Sequence, residues 1–434
     1  MKASIVAGEP PPTATQAGGG IATARGVLWV MFAINFLNYL DRFILPAVVP
    51  KIKAEFGISD TQLGALATAF TLVYGVAALP FGAWADRGIR KNIVAIGVGI
   101  WSVATLLSGA VANAGQLYAA RAVLGIGEAG YYPAGTSLLV DYVPRERRAW
   151  VMGIWNVGAS VGAAVGFALG GLVADHYGWR AAFYMTAVPG LICAVLAWRI
   201  REPRRGASDG AAKVRPAPPI RESVRAILGI PTMRVAIASQ TLNFFVLGAA
   251  AFWFPTLLQR RFAISLGTAG LISGAVLVLS GIIGTLGGGW LADRLLARYP
   301  SAPGTLWVLV TGAGFLISAP LLIISLLMPS LALTVPIFFL GGIFLNAYNG
   351  PMTALMQDVV RPELRCATVA VSLIVAHVLG DAFSPLVLGA LSDSLGDLNR
   401  ALELTLAPVI LLAGLVALRG LRGVDAGGQA ATAG

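Results

Sequence analysis

The sequence predicts an all-α membrane protein of twelve transmembrane helices arranged as two six-helix bundles. Composition points there first: 57% of the 434 residues are hydrophobic, 12% are charged, and the mean hydropathy is +0.78. A soluble domain carries about 25% charged residues. Apolar runs close to the ~20 residues needed to cross a bilayer recur twelve times. The two groups of six also repeat each other. Gly82-Ala-Trp-Ala-Asp86-Arg87 after the second run returns as Gly289-Trp-Leu-Ala-Asp293-Arg294 after the eighth, and Asp141-Tyr-Val-Pro144-Arg145-Glu146 returns loosely as Asp358-Val-Val-Arg361-Pro362-Glu363.

Residues 1–25, rich in Gly, Pro, Ala and Thr, lack the apolar core of a cleavable signal and read as a disordered cytoplasmic tail. The first bundle covers 26–200, with spans near 26–50, 61–85, 92–112, 116–141, 149–174 and 180–200. The second covers 234–421, with spans near 234–258, 268–292, 303–328, 332–357, 366–392 and 398–421. Between them, 201–233 forms a cytoplasmic linker in which Ile220 to Leu228 has apolar residues at helical spacing. That stretch suits either a helix on the membrane surface or one packed on protein. Residues 422–434 form a second cytoplasmic tail. Most of the 31 Lys and Arg fall in alternate loops, whereas the intervening loops hold only Lys51, Lys53, Arg180, Arg260, Arg261 and Arg400. The excess marks the cytoplasmic side and puts both termini there.

Several functions are excluded by the same reading. The net charge of +11 lies in short loop clusters rather than in a stripe interleaved with exposed aromatics, so no nucleic-acid partner is expected. Two cysteines, Cys193 and Cys366, form neither a disulfide framework nor a metal site, and no cofactor is implied. The chain has no H-E-x-x-H, no G-x-S-x-G and no Walker A sequence, so it is expected to be neither an enzyme nor an ATP-driven pump.

Chemistry is concentrated where water should be scarce. Asn38-Tyr39-Leu40-Asp41-Arg42 lies inside span one, and Arg121 with Glu128 inside span four. An ionised side chain near the middle of a bilayer costs several kcal/mol, roughly 2.5 to 3.5 on insertion scales, so such groups pair and mark a pathway. Arg121 and Glu128 are seven apart and share a helical face, which offers Arg121 to Asp41 and Glu128 to Arg42. Glu128 is the expected proton carrier, with Asp41 beside it, because breaking an ion pair loads or releases a proton. Arg42 and Arg121 stay charged and suit bidentate contact with phosphate or carboxylate. In span eleven His377 and Asp381, four apart, form a second proton-coupling pair. Asn346, Tyr348, Asn349 and Gly350-Pro351 add polar groups and a kink to span ten. Asn38, Tyr39, Tyr131 and Asn349 are the further substrate-binding candidates. Phe36, Phe70, Tyr74, Trp155, Phe244 and Phe254 would suit an apolar moiety. Asp86, Arg87, Arg90, Asp293 and Arg294 are candidate gating residues that latch the cytoplasmic ends of the bundles in the outward-open state. Gly153, Gly162, Gly166, Gly170 and Gly171 of span five read as close packing.

At these residues the chain resembles the major facilitator superfamily, whose signature loop stands here as Gly82-Ala-Trp-Ala-Asp86-Arg87-Gly88-Ile89-Arg90-Lys91. Within it, Asn38 to Arg42, Phe56-Gly-Ile-Ser-Asp60, Gly125-Ile-Gly-Glu128-Ala129 and His377-Val-Leu-Gly380-Asp381-Ala-Phe-Ser-Pro385 are similar to the Spinster family. The resemblance implies the major facilitator fold and alternating access. It implies transport of a lysophospholipid or a sphingosine 1-phosphate-like solute, with protons as the coupling ion. The expected setting is a bacterial cell membrane, with surrounding lipid as partner and a monomer as the working unit. The competing reading is a proton-coupled symporter of sugars, sugar acids or other small organic anions.

Overall fold

A computed structural model describes residues 21–204, 220–300, 303–361 and 364–421. Most of the 1–25 tail, part of the linker and the 422–434 tail lie outside the described residues. Residues 21–25 are tied down rather than free. The Ile21 N–H donates to the Arg199 carbonyl at 2.9 Å, and the Arg201 N–H donates to the Ile21 carbonyl at 3.0 Å. Thr23 accepts from the Gly26 N–H at 3.2 Å and caps the first helix.

The first bundle comprises α1 (Ala24–Phe56), α2 (Asp60–Arg87), α3 (Arg90–Ala110), α4 (Ala114–Ala129) with α5 (Tyr131–Asp141), α6 (Arg148–Tyr177) and α7 (Trp179–Trp198). After α8 (Ile220–Gly229) the second comprises α9 (Pro231–Phe262), α10 (Leu266–Arg298), α11 (Pro303–Leu327), α12 (Leu331–Asn346) with α13 (Asn349–Asp358), α14 (Arg365–Ala376) with α15 (Ser384–Leu395), and α16 (Leu398–Arg419). Among the described residues these helices make twelve units, six in each bundle, and eleven of them are long and apolar enough to cross a membrane. The exception is the fourth, which breaks at Gly130 and carries Arg121 and Glu128 in its first half. Helices α1 and α9 outrun their apolar stretches to Phe56 and Phe262, because charged residues such as Lys53 and Arg260 extend a helix into water without ending it.

Two further interruptions follow from proline. Pro351 has no N–H for the Ala347 carbonyl, and span ten breaks between α12 and α13 just before it. Pro385 likewise leaves the Asp381 carbonyl unclaimed by backbone. The Ser384 hydroxyl takes that oxygen at 3.2 Å, and the Ala382 N–H reaches back five residues to His377 at 3.0 Å. The product is one π-helical turn, His377–Asp381, between α14 and α15, a wide turn of the kind found at functional sites.

Of the two settings open to α8, the structure takes packing on protein: Ser223 and Ile227 are buried as the helix lies on α9 and α14. Gly162 and Gly166 of α6 sit against the Phe36 and Leu40 backbone of α1, so these glycines serve packing inside the first bundle.

The molecule has a basic face, bearing the arginine-rich loops, and a distal face opposite it. The bundles meet along two seams, α2 on α15 and α6 on α10. The apolar core records where they join. Leu45, Val48, Ile52, Leu63 and Phe183 of the first bundle's distal half share one cluster with Trp253, Leu258, Leu266 and Leu388 of the second. Val27, Met31, Ile34, Ile93, Leu138 and Trp155, in the basic half, form a separate cluster confined to the first bundle. The bundles are thus fused at the distal face and part toward the basic face.

Candidate functional site

Where the bundles part, α1 and α4 place their charges together. The Arg42 Nε and Nη2 both lie 2.6 Å from Glu128 Oε2. The Arg42 side chain is 26% exposed and that of Glu128 is fully buried. The guanidinium of Arg42 also stands over Tyr39, Phe70 and Tyr74, at 5.5, 5.2 and 5.0 Å from their ring centroids. Arg121, two helical turns before Glu128, is buried with its guanidinium over the Phe70 ring, 5.2 Å from the centroid. Its Nε and Nη1 have no hydrogen-bond partner, nor do Glu128 Oε1 and Asn38 Nδ2.

The expected pairing of Arg121 with Asp41 does not form. Asp41 is buried and accepts from the Thr105 hydroxyl of α3, while the Thr186 hydroxyl of α7 is shared between Asp41 Oδ1 (3.3 Å) and the Phe183 carbonyl (3.1 Å). Both carboxylate oxygens are therefore met by neutral donors. Tyr131 also differs from expectation. It is buried between Trp101 and Trp155, accepts from Trp155 Nε1 at 2.9 Å and donates to the Met31 carbonyl at 3.3 Å. The break at Gly130 turns Tyr132 outward instead, 47% exposed and stacked at 5.0 Å on Trp155.

Across the interface the π turn presents the second titratable pair. His377 Nδ1 lies 2.8 Å from Asp381 Oδ2, and the imidazole meets Phe244 edge-on at 5.0 Å. Asp381 Oδ1 is buried without a partner. The turn is anchored to the first bundle by Thr68, which donates to the Ala382 carbonyl at 2.7 Å. Asn349 stands apart from these charges, its amide 3.4 Å from Thr285 Oγ1. Between the bundles a cavity of about 190 Å³ is lined mainly by apolar side chains, including Phe43, Phe167, Val246, Leu277, Phe338 and Leu406.

Among the described side chains, Arg87, Arg90, Asp293 and Arg294 form no ion pair across the bundles. Arg90 is buried and bonds Glu202 at 2.7 Å, the Ser137 carbonyl at 3.0 Å and Asp141, all within or just after the first bundle. Arg87 and Asp293 are exposed, and Arg294 covers its own helix neighbour Trp290. The side chain of Asp86 lies outside the described residues.

A charge cluster not anticipated from the sequence joins the bundles at the distal face. Asp60, first residue of α2, accepts Arg260 Nη1 and Nη2 at 2.7 Å each, Lys53 Nζ at 2.6 Å and the Ser392 hydroxyl at 2.7 Å. Asp60 stood within a family-like motif, but its partners Arg260 and Ser392 are far away in sequence and carry no local signal. No group of three His, Cys, Asp or Glu side chains suited to a metal occurs among the described residues.

A family model for the Major Facilitator Superfamily matches residues 31–385. Protein spinster homolog 3 of Danio rerio is 32% identical over 391 residues, covering 85% of this chain and 77% of that one. The human spinster homolog 1 is 31% identical over 399 residues, covering 87% and 75%. Protein spinster of Drosophila melanogaster is 30% identical over 376 residues, and the chain spans 61% of that protein's length. Among solved structures, a bacterial homolog of the human lysosomal transporter spinster, inward-facing and unoccupied, shares the fold at a TM-score of 0.78 and 24% identity, covering 94% of this chain and 97% of that one.

Proposed function

The chain belongs to the Spinster family of the major facilitator superfamily, and we propose that this multi-pass membrane transporter moves an amphipathic anionic solute, of the lysophospholipid or sphingosine 1-phosphate type, by proton-coupled alternating access. The observation that carries the reading is the pair of unpartnered Arg121 N–H groups and the unpartnered Glu128 oxygen on the same face of α4, buried against α1 and α2. A buried donor left unsatisfied costs free energy that an anionic oxygen would recover. The apolar cavity lined by Phe43, Phe167 and Phe338 supplies room for a hydrophobic moiety between the bundles.

The residues divide the work as follows. Arg42 is the counter-charge of Glu128, at 2.6 Å. An anion bound by Arg42 and Arg121 competes for the guanidinium, and a buried carboxyl deprived of its counter-charge takes up a proton. Loss of the anion reverses both events. Asp41, set between two threonine hydroxyls, and the His377–Asp381 pair across the interface are further proton-coupling groups. Asn38 and Tyr39 border the same anion site, and Tyr132 takes the place first expected of Tyr131.

The arginine-rich loops support a reading in which the basic face lies in the cytoplasm, with both termini on that side, and the proposed setting is a bacterial cell membrane. The described state, closed at the distal face, is then cytoplasm-facing. Asp86, Arg87, Asp293 and Arg294 would meet in the opposite state, and a monomer contains every element of the cycle. The test is flux into liposomes of a panel of lysophospholipids, sphingoid phosphates, hexoses and hexuronates, with and without a pH gradient. Saturable, gradient-driven uptake of an acylated anion supports the reading. Uptake of hexuronates alone would assign the site to small organic anions.

A further inference from the structure

Two more stretches repeat between the halves, and the structure brings them face to face. Phe56-Gly-Ile-Ser59-Asp60-Thr61-Gln-Leu63-Gly64, leading into α2, returns as Phe262-Ala-Ile-Ser265-Leu266-Gly267-Thr-Ala269-Gly270, leading into α10. Gly171-Leu-Val-Ala-Asp175-His-Tyr-Gly178, ending α6, returns as Gly389-Ala-Leu-Ser-Asp393-Ser-Leu-Gly396, ending α15. Each helix end abuts the helix start of the opposite bundle. A Cβ on Gly389 would lie 2.2 Å from the Asp60 carbonyl oxygen, and a Cβ on Gly171 would lie 2.2 Å from that of Leu266. One turn further in the match continues, with Gly64 against the Pro385 carbonyl and Gly270 against that of Phe167, both at 2.1 Å.

The close approach brings a carboxylate to each exposed helix start. Asp393 accepts from the Asp60 N–H at 3.0 Å, the Thr61 N–H at 2.8 Å and the Thr61 hydroxyl at 2.6 Å. Asp175 accepts from the Gly267 N–H at 2.7 Å. The first N–H groups of a helix lack intrahelical partners and its dipole is positive there, so an acid at that point satisfies both. Ser59 and Ser265 already cap their own helices from within. The two aspartates are additional caps, and they reach across the interface.

We propose that Asp175 and Asp393 are a symmetry-related pair of inter-bundle helix caps that hold the distal gate shut and are released together when it opens. The proposal rests on the alternating-access reading, but it is read from conformation in the absence of any solute, so loss of transport and loss of the latch are separable.

The test uses the full chain in nanodiscs, with Cys193→Ser and Cys366→Ser as background and a water-soluble maleimide as probe. Leu63→Cys and Ala269→Cys, both at fully buried positions beside the two seams, serve as reporters. Asp393→Ala or Asp175→Ala should each raise labelling about fivefold, the change expected from a cap worth about 1 kcal/mol. The rise should appear at both reporters, and the double variant should multiply it. Asp393→Asn, which keeps the shape and one acceptor, should give a smaller rise and guards against a variant that fails to fold. Glu55→Ala, an acid of the same face bonded to Trp179 and Arg180 of its own bundle, should change nothing. Unchanged labelling in the aspartate variants, an equal rise in Glu55→Ala, or a rise at only the neighbouring reporter would overturn the proposal.

Discussion

Asp60 and Glu128 are buried carboxylates that face arginines, yet they are finished to different degrees. Both oxygens of Asp60 are filled by Arg260, Lys53 and Ser392. Glu128 receives Arg42 on one oxygen, while its other oxygen and two nitrogens of the adjacent Arg121 have no partner. A fully satisfied network rigidifies the elements that contribute to it, and one left incomplete retains unspent hydrogen-bonding capacity. The distal cluster is suited to holding two bundles in one arrangement. The central cluster is suited to exchanging partners.

The comparison can be broken most severely at Arg42. Arg42→Ala strips Glu128 of its counter-charge, and breaking a buried pair costs about 3 kcal/mol or more. Transport of an anionic solute should fall roughly 100-fold, which initial rates in liposomes would show. At the distal cluster Asp60→Asn keeps the shape but forfeits the charge that meets both arms of Arg260. With charge-assisted bonds worth about 1.5 kcal/mol or more, maleimide labelling at Leu63→Cys should rise about tenfold while solute affinity is unchanged. A smaller effect is expected from Arg121→Lys, which retains charge and loses the planar fork. Affinity should weaken about fivefold for an anionic ligand and little for a neutral analogue. Equal losses for both ligands would make Arg121 a structural cation. Smallest of all, Ala263 holds a left-handed conformation at φ 51°, where its repeat counterpart Gly57 sits at 62°. Ala263→Gly should stabilise the protein by less than about 1 kcal/mol and Gly57→Ala should destabilise it by about that amount, measured as opposite shifts in Tm.

What was legible in the sequence is what local spacing controls. Twelve apolar runs and a seven-residue separation gave the spans and the Arg42–Glu128 encounter. Other features depend on contacts that spacing does not encode. Thr105 and Thr186 are ordinary residues of other spans, yet they supply the hydrogen bonds that Asp41 accepts in place of Arg121. Gly130 ends α4 and resets the helical face, so the residue beside the open interface is Tyr132 rather than Tyr131. The distal cluster is not legible in the sequence because Asp60 reads locally as an acid in the first turn of a helix, and Arg260 and Ser392 lie 200 and 332 residues away. The internal repeat did hold a signal for the two aspartate caps, in the matching Gly-x-x-x-Asp-x-x-Gly ends of α6 and α15. Its meaning depends on knowing which helix starts they face.

The central claim is that Glu128 exchanges Arg42 for a proton when an anion binds. Its most direct test compares two assays of Glu128→Gln in one liposome preparation: accumulation driven by a pH gradient, and exchange of solute across the membrane without one. The glutamine keeps the shape of the site and cannot titrate. The account predicts that accumulation is lost while exchange is retained. Accumulation at the rate of the parent protein would contradict it.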